Sequence, residues 1–312
     1  MMNIGNVEKV YVKDKIEWLE QRKHGIGGSD AGAICGLNPF TSAMKVYLDK
    51  TTEIVDEYDN EAMRQGRDLE EYVAQRFTDE TGKKVRRTNF MYVNKEHPFM
   101  FANVDRMIAG ENAGLECKTA SAYSAKDWDN ENVPAHYIIQ CNHYMAVTGA
   151  DRWYLAVVIL GKAFRYVCIE RDEKVISDLV RVEERFWNQN VLRHIPPEPD
   201  GSDASEQYLK SIYNKTTPGK ELVLSGYDQE LKRHDELEEL INKLEKEKKT
   251  IEEKIKISMD DAETAYTDKY VISWKRYDQE RLDTKKLKIE QPDVYENYVK
   301  KASTRRFTIK VA

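Results

Sequence analysis

The chain has 312 residues, 40% of them hydrophobic and 33% charged, which is enough for one large or two modest soluble domains with a heavily charged surface. No apolar run approaches the roughly 18 residues that cross a bilayer, and Met1-Met2-Asn3-Ile4-Gly5 lacks a signal-peptide core, so a cytoplasmic location without a membrane partner is expected. The net charge of −6 argues against general attraction to phosphates, but basic residues cluster at Arg22-Lys23-His24, at Lys83-Lys84 with Arg86-Arg87, and at Arg305-Arg306.

In chain order, amphipathic helical segments are expected over 13–24, 29–36, 41–50 and 60–81, the last ended by Thr81-Gly82. Between the first two lies Gly25-Ile26-Gly27-Gly28-Ser29, which is neither a Walker A loop nor a dinucleotide fingerprint. Followed by Asp30-Ala31-Gly32-Ala33-Ile34, it reads as a turn into an N-capped helix, an end that suits an anion. Arg22, just upstream, makes a phosphate pocket the economical reading.

Strand-like runs follow near 84–93, 100–108 and 114–119, with Gly110 as a turn between the last two. They hold the most informative pattern in the chain. Asp105 ends one apolar run, and Leu115-Glu116-Cys117-Lys118 begins the next ten residues later. Side chains two apart on a strand share a face, so Glu116 and Lys118 lie side by side. A carboxylate there can ligate a hard cation, and an ammonium beside it can activate water or hold developing charge. The same pattern also suits a solvated cross-face ion pair. Gly66-Arg67-Asp68-Leu69-Glu70, the helix over 134–148 with Gln140-Cys141-Asn142-His143-Tyr144, and Trp18 with Arg22 before the glycine turn shift the balance toward a catalytic centre.

A hairpin is expected from 153–159 and 163–169 across Leu160-Gly161-Lys162, then a helix over 172–191, then a boundary at Ile195-Pro196-Pro197-Glu198-Pro199-Asp200-Gly201. Domains of 1–195 and 202–312 follow from it. In the second, Leu237, Ile241, Leu244, Ile251 and Ile255 step by threes and fours, with Lys248 in one slot. Such spacing reads as a coiled coil, a helical hairpin, or a helix packed on its own domain. Strand-like 270–274 and 307–311 around a helical 284–302 suggest a small α/β cap. The cysteines Cys35, Cys117, Cys141 and Cys168 are too scattered for a zinc knuckle or iron–sulfur set, and His143 reads as structural.

These residues, in this order over roughly 13–192, resemble the YqaJ family of viral recombinases, relatives of phage lambda exonuclease within the PD-(D/E)xK nuclease superfamily. The resemblance implies a restriction-endonuclease-like α/β core, a central mixed sheet flanked by helices, followed by a C-terminal extension. It implies a metal-dependent double-stranded DNA exonuclease acting 5′ to 3′, with Mg²⁺ or Mn²⁺ held by Asp105, Glu116, Glu70 and the carbonyl of Cys117. Lys118 falls where the family has its catalytic lysine. Gln140 would position the water or Lys118, while Trp18, Arg22, Ser29 and Tyr144 would serve DNA and its 5′-phosphate. Double-stranded DNA ends, a RecT- or Bet-like single-strand annealing protein and a homo-oligomeric ring are the partners implied. Arg106 departs from the family, where Gly often follows the metal Asp, and would approach a phosphate. A DNA-end-binding recombination module and a structure-specific endonuclease remain the alternatives.

Overall fold

The computed structural model describes residues 7–52, 60–128, 132–300 and 305–310, and the chain divides into two compact units, Met1–Tyr213 and Asn214–Ala312. The first opens with strand β1 (Val7–Tyr11) and helices α1 (Lys15–Lys23), α2 (Gly28–Ile34), α3 (Ala43–Thr51) and α4 (Glu61–Thr81). Helix α4 starts where the Asn60 side chain accepts from the Met63 amide, and it stops at Gly82, whose φ of 68° suits glycine.

Strands β2 (Val85–Arg87), β3 (Phe90–Asn94), β4 (Phe101–Ala102), β5 (Arg106–Ile108) and β6 (Ala113–Ala120) come next. The runs expected as single strands over 84–93 and 100–108 are each divided between two sheets. β1, β3 and β4 form a small antiparallel sheet, while β2 and β5 join the five-stranded sheet ordered β2-β5-β6-β7-β8. The crossing is pinned where the Thr88 hydroxyl donates to the Val104 carbonyl. As a result, Asp105 sits in the turn between sheets rather than at a strand end.

A 3₁₀ helix over Ala122–Trp128 leads to α5 (Ala135–Thr148), then β7 (Arg152–Ile159) and β8 (Ala163–Glu170), which make the expected hairpin. β6 and β7 run parallel while the other pairs are antiparallel, which gives a mixed sheet. Alternation sorts the two faces. Leu115, Tyr154 and Ala156 pack with Val73, Ala74 and Phe77 of α4, and Trp153, Leu155 and Val157 pack with Cys141, Tyr144 and Met145 of α5. A sheet with a helix layer on each face is thus what the sequence pattern implied.

Helix α6 (Glu173–Phe186) ends in a π turn over Trp187–Val191, where a single helix over 172–191 was expected. Helix α7 (Asp203–Ile212) follows the prolines yet falls in the first unit, its Tyr208 ring set edge-on to Tyr47 of α3. The compact unit therefore extends past the proline-rich segment that marked the boundary in sequence.

The second unit holds α8 (Asp228–Met259), a hairpin of β9 (Thr264–Tyr266) and β10 (Val271–Ser273), and helices α9 (Thr284–Glu290) and α10 (Pro292–Tyr298). The helix expected over 284–302 is broken at Pro292, which cannot donate to a preceding carbonyl and instead begins a new helix. Residues 301–302 and 311 lie outside the described residues, and 307–310 form no strand. Among the described residues no helix is long and apolar enough to cross a membrane.

Candidate active site

β6 carries the centre of the site. Its alternation turns Cys117 toward the α4 side and Glu116 and Lys118 toward α5. The Cys117 amide donates to Asp105 Oδ2 at 2.7 Å, fixing the turn acid beside the strand acid. Two donors converge on one oxygen of Glu116: Lys118 Nζ at 2.6 Å and Gln140 Nε2 at 2.7 Å. The other oxygen, Oε2, is buried and has no hydrogen-bond partner. Orphaned buried carboxylate oxygens are costly unless something positive meets them.

Charge crowding at this spot shows in the titration. Burial, then Glu116 and Glu70, push the Asp105 carboxyl well above the usual carboxylate range against the pull of Lys118. Burial works against the Lys118 ammonium, but Glu116, Tyr137 and Asp105 outweigh it and raise its pKa, and its Nζ lies 4.7 Å from the Tyr137 ring centre. Hard oxygen donors with an excess of negative charge suit a hard divalent cation. The Cys117 thiol does not contribute, because burial, Asp105 and Glu116 raise its pKa and it lies on the other face. Only its backbone carbonyl remains as a candidate ligand.

Three residues differ from their expected roles. Glu70 reaches the neighbourhood from α4, but Arg106 holds it at 2.5 Å while its second nitrogen takes Glu71 at 2.7 Å. Arg106, with a side chain 3% exposed, is thus a buried clamp on α4 and does not face a phosphate. Asp105, Glu116 and Glu70 do not close to within 4.8 Å of one another. Among the described residues that closeness occurs only at His234, Asp235 and Glu238, exposed on α8. Gln140 bonds Glu116 and the Tyr144 hydroxyl, not Lys118. Tyr144 is buried, with its hydroxyl bound to Gln140 and its ring under Gly28, where a Cβ would come within 2.5 Å. It therefore supports the site from beneath rather than touching DNA, and Gly28 is required for α2 to approach α5 this closely.

The glycine turn lies along the small sheet, with the Ile26 amide donating to the Phe99 carbonyl and the Phe101 amide to the Ile26 carbonyl. Arg22 stacks over Trp18 at 4.8 Å and donates to Ser29 Oγ at 3.3 Å and Asp30 Oδ1 at 3.2 Å. The expected pocket residues are therefore together. What sequence reasoning missed is that the helix end already has an anion. Asp30 accepts from the Gly27 amide and from Lys50 Nζ at 2.7 Å, and Lys50 also donates to the Arg22 carbonyl. Burial opposes the charge on Asp30, but Lys50 and Arg22 lower its pKa to about 2. Gly27-x-x-Asp30 was a legible capping signal, whereas Lys50 comes from another helix and carried none. Two cations against one carboxylate leave a positive balance beside Ser29.

A cleft of about 390 Å³, lined by Trp18, Asn89, Asn103 and Val104 among others, runs beside these residues and ends next to Asp105. A larger one, about 530 Å³, opens at the β8 edge and contains none of the acids.

His143 is structural, as expected. Its Nε2 lies 2.9 Å from the Phe101 carbonyl, which can only accept, so Nε2 carries hydrogen and the remaining proton lies between Nδ1 and Glu183, 2.8 Å away. Both groups are fully buried. Burial disfavours the imidazolium, but Glu183 and the carbonyl outweigh it and raise the His143 pKa. A raised folded-state pKa stabilises fully below the ordinary value near 6.5 and loses that stability as pH rises through the folded value. The urea midpoint should therefore fall as pH increases above about 6.5, and Glu183→Gln should flatten that decline; an unchanged slope would show that the pair shares no proton.

Comparison with known proteins agrees with this layout. Residues 17–151 match the YqaJ-like viral recombinase domain. Over 298 residues the chain is 43% identical to the uncharacterized protein YqaJ of Bacillus subtilis, covering 94% of this chain and 93% of that one. Among solved structures it is similar to an alkaline exonuclease from Laribacter hongkongensis, with a TM-score of 0.48 and 20% identity over 64% of this chain and 98% of that one. A phage related exonuclease from Haemophilus somnus matches with a TM-score of 0.42 and 14% identity over 55% and 96% of the two chains.

Proposed function

The chain belongs to the YqaJ family of viral recombinases, and from that premise we propose that it is a metal-dependent exonuclease of a phage or prophage recombination system. It would degrade one strand of duplex DNA from the 5′ end and leave a 3′ single strand for an annealing protein. The observation that carries this reading is the Glu116 carboxylate, held on one oxygen by Lys118 and Gln140 and left open on the other beside a buried Asp105.

Asp105 and Glu116 would hold Mg²⁺ or Mn²⁺, with the Cys117 carbonyl as a further oxygen; Glu70 would join only by leaving Arg106. A bound dication polarises the phosphate and makes water more acidic. Gln140 fixes the rotamer of Glu116. Lys118, charged in this setting, donates to the phosphate oxygens or the attacking water rather than taking a proton. At the other end of the cleft, Arg22, braced by Trp18 and Lys50, and Ser29 would bind the terminal phosphate, with Asp30 limiting the net attraction. Contacts of this kind go to phosphates, so base sequence is not read. A pocket for a terminal phosphate favours an exonuclease over an endonuclease, since an internal cut presents none.

A second reading, a DNA-end-binding module with a weakened nuclease centre, is favoured by one observation: Arg106 keeps Glu70 from the other two acids. One assay separates the two readings. A linear duplex with one 5′-phosphorylated and one 5′-hydroxyl end should be digested only when magnesium or manganese is supplied, and faster from the phosphorylated end. Binding to both ends without digestion under any metal would favour the module.

Arg22→Ala tests the pocket. A charge-assisted contact contributes roughly 1.5–3 kcal/mol, so digestion from the phosphorylated end should slow by about ten- to a hundredfold, while the hydroxyl end proceeds at its parent rate. Equal slowing at both ends would make Arg22 a general backbone or folding residue.

A further inference from the structure

Helix α8 has no part in the chemistry above. Along its 32 residues, Leu237, Ile241, Leu244, Lys248, Ile251 and Ile255 recur at alternating steps of four and three, the spacing of a coiled-coil seam. The seam lies open. Leu237, Ile241, Leu244 and Ile251 are 41%, 52%, 56% and 52% exposed. A long helix with a bare apolar stripe and polar residues elsewhere is stabilised chiefly by packing that stripe against another surface.

We propose that α8 pairs in parallel with α8 of a second copy of this chain, forming a short two-stranded coiled coil. Leu237, Leu244 and Ile251 take the d positions, and Ile241, Lys248 and Ile255 the a positions. Isoleucine at a with leucine at d favours two strands, and a single lysine at an a position fixes register at some cost in stability. Charge selects the occupant and its direction. All three e positions in this stretch are acidic, Glu238, Glu245 and Glu252. In an antiparallel pair e faces e, setting acid against acid along the seam. In a parallel pair, Arg233 at g faces Glu238 of the second copy, and Lys248 enters a layer flanked by Glu247 and Glu252, where each ammonium meets a carboxylate of the other helix. Only this alignment turns the acidic stripe from a repulsion into a complement.

The proposal does not rest on the nuclease reading, and it is tested on the full chain. Sedimentation across a wide range of concentrations should show a reversible monomer–dimer equilibrium. Leu244→Glu should abolish the dimer. Lys248→Ile should shift the midpoint to lower concentration, a gain that a misfolded variant would not give. For direction, Leu237→Cys in a Cys168→Ser background, which removes the one exposed native thiol, should form a disulfide-linked dimer on oxidation. An antiparallel mate would place the two position-237 thiols about 27 Å apart, at 1.5 Å per residue, and no cross-link would form. A monomer at every concentration, an oligomer unmoved by Leu244→Glu, or a dimer that resists cross-linking at position 237 would each overturn the proposal.

Discussion

Lys118→Ala is expected to slow duplex digestion by roughly 10²- to 10⁴-fold, the range observed when a positioned charge or proton-transfer group is removed from a reaction centre. Lys118 stands 2.6 Å from Glu116 on the face of β6 that looks toward α5, close enough to reach the same phosphate as the acids. Its removal spares both carboxylates and the Gln140 contact. Divalent-metal affinity measured by calorimetry should therefore stay level or rise, since the ammonium no longer competes for Glu116. Digestion near the parent rate would take Lys118 out of the mechanism. Lost metal binding would instead mean that its role is to hold Glu116 in place.

The part of the site that was legible in the sequence is the part encoded by local periodicity. Alternation along Leu115-Glu116-Cys117-Lys118 put Glu116 and Lys118 on one face, and a helical repeat put Gln140 and Tyr144 one turn apart; both arrangements hold. Long elements with clear ends were legible too, such as α4 between Asn60 and Gly82. What was not legible depends on contacts between distant segments. Nothing around 84–93 or 100–108 reveals that each run serves two sheets, because both halves are equally strand-like. Lys50 is indistinguishable from a surface lysine until α3 packs behind the glycine turn and leaves its side chain 2% exposed. Arg106 read as a phosphate contact because its neighbours in sequence are Asp105 and an apolar strand. Its partners Glu70 and Glu71 lie some three dozen residues upstream. The break at Pro292 is a different case, since the proline was visible and the pattern on either side was allowed to outweigh it.

Glu116→Gln should be as damaging as the loss of Lys118, and by another route. Glutamine preserves shape and still offers an acceptor to Lys118 and Gln140, but it removes the negative charge that the open oxygen presents to a cation. Metal-dependent digestion should vanish, and calorimetry with Mg²⁺ or Mn²⁺ should show binding weakened beyond detection. Asp105→Asn should do the same, its amide oxygen still accepting from the Cys117 amide so that the turn survives. Glu70→Gln provides the contrast. Glu70 is engaged by Arg106, whose guanidinium would keep Glu71 but lose its better-buried partner, so the main cost is to stability: up to about 3–5 kcal/mol, the range for breaking a buried pair, and less because Glu70 is partly exposed. The ordering is what decides. If Glu70→Gln weakens metal binding as severely as Glu116→Gln, the Arg106 clamp opens in the working enzyme and three acids hold the metal. If Glu116→Gln and Asp105→Asn both bind metal with parent affinity, the metal site does not lie at β6.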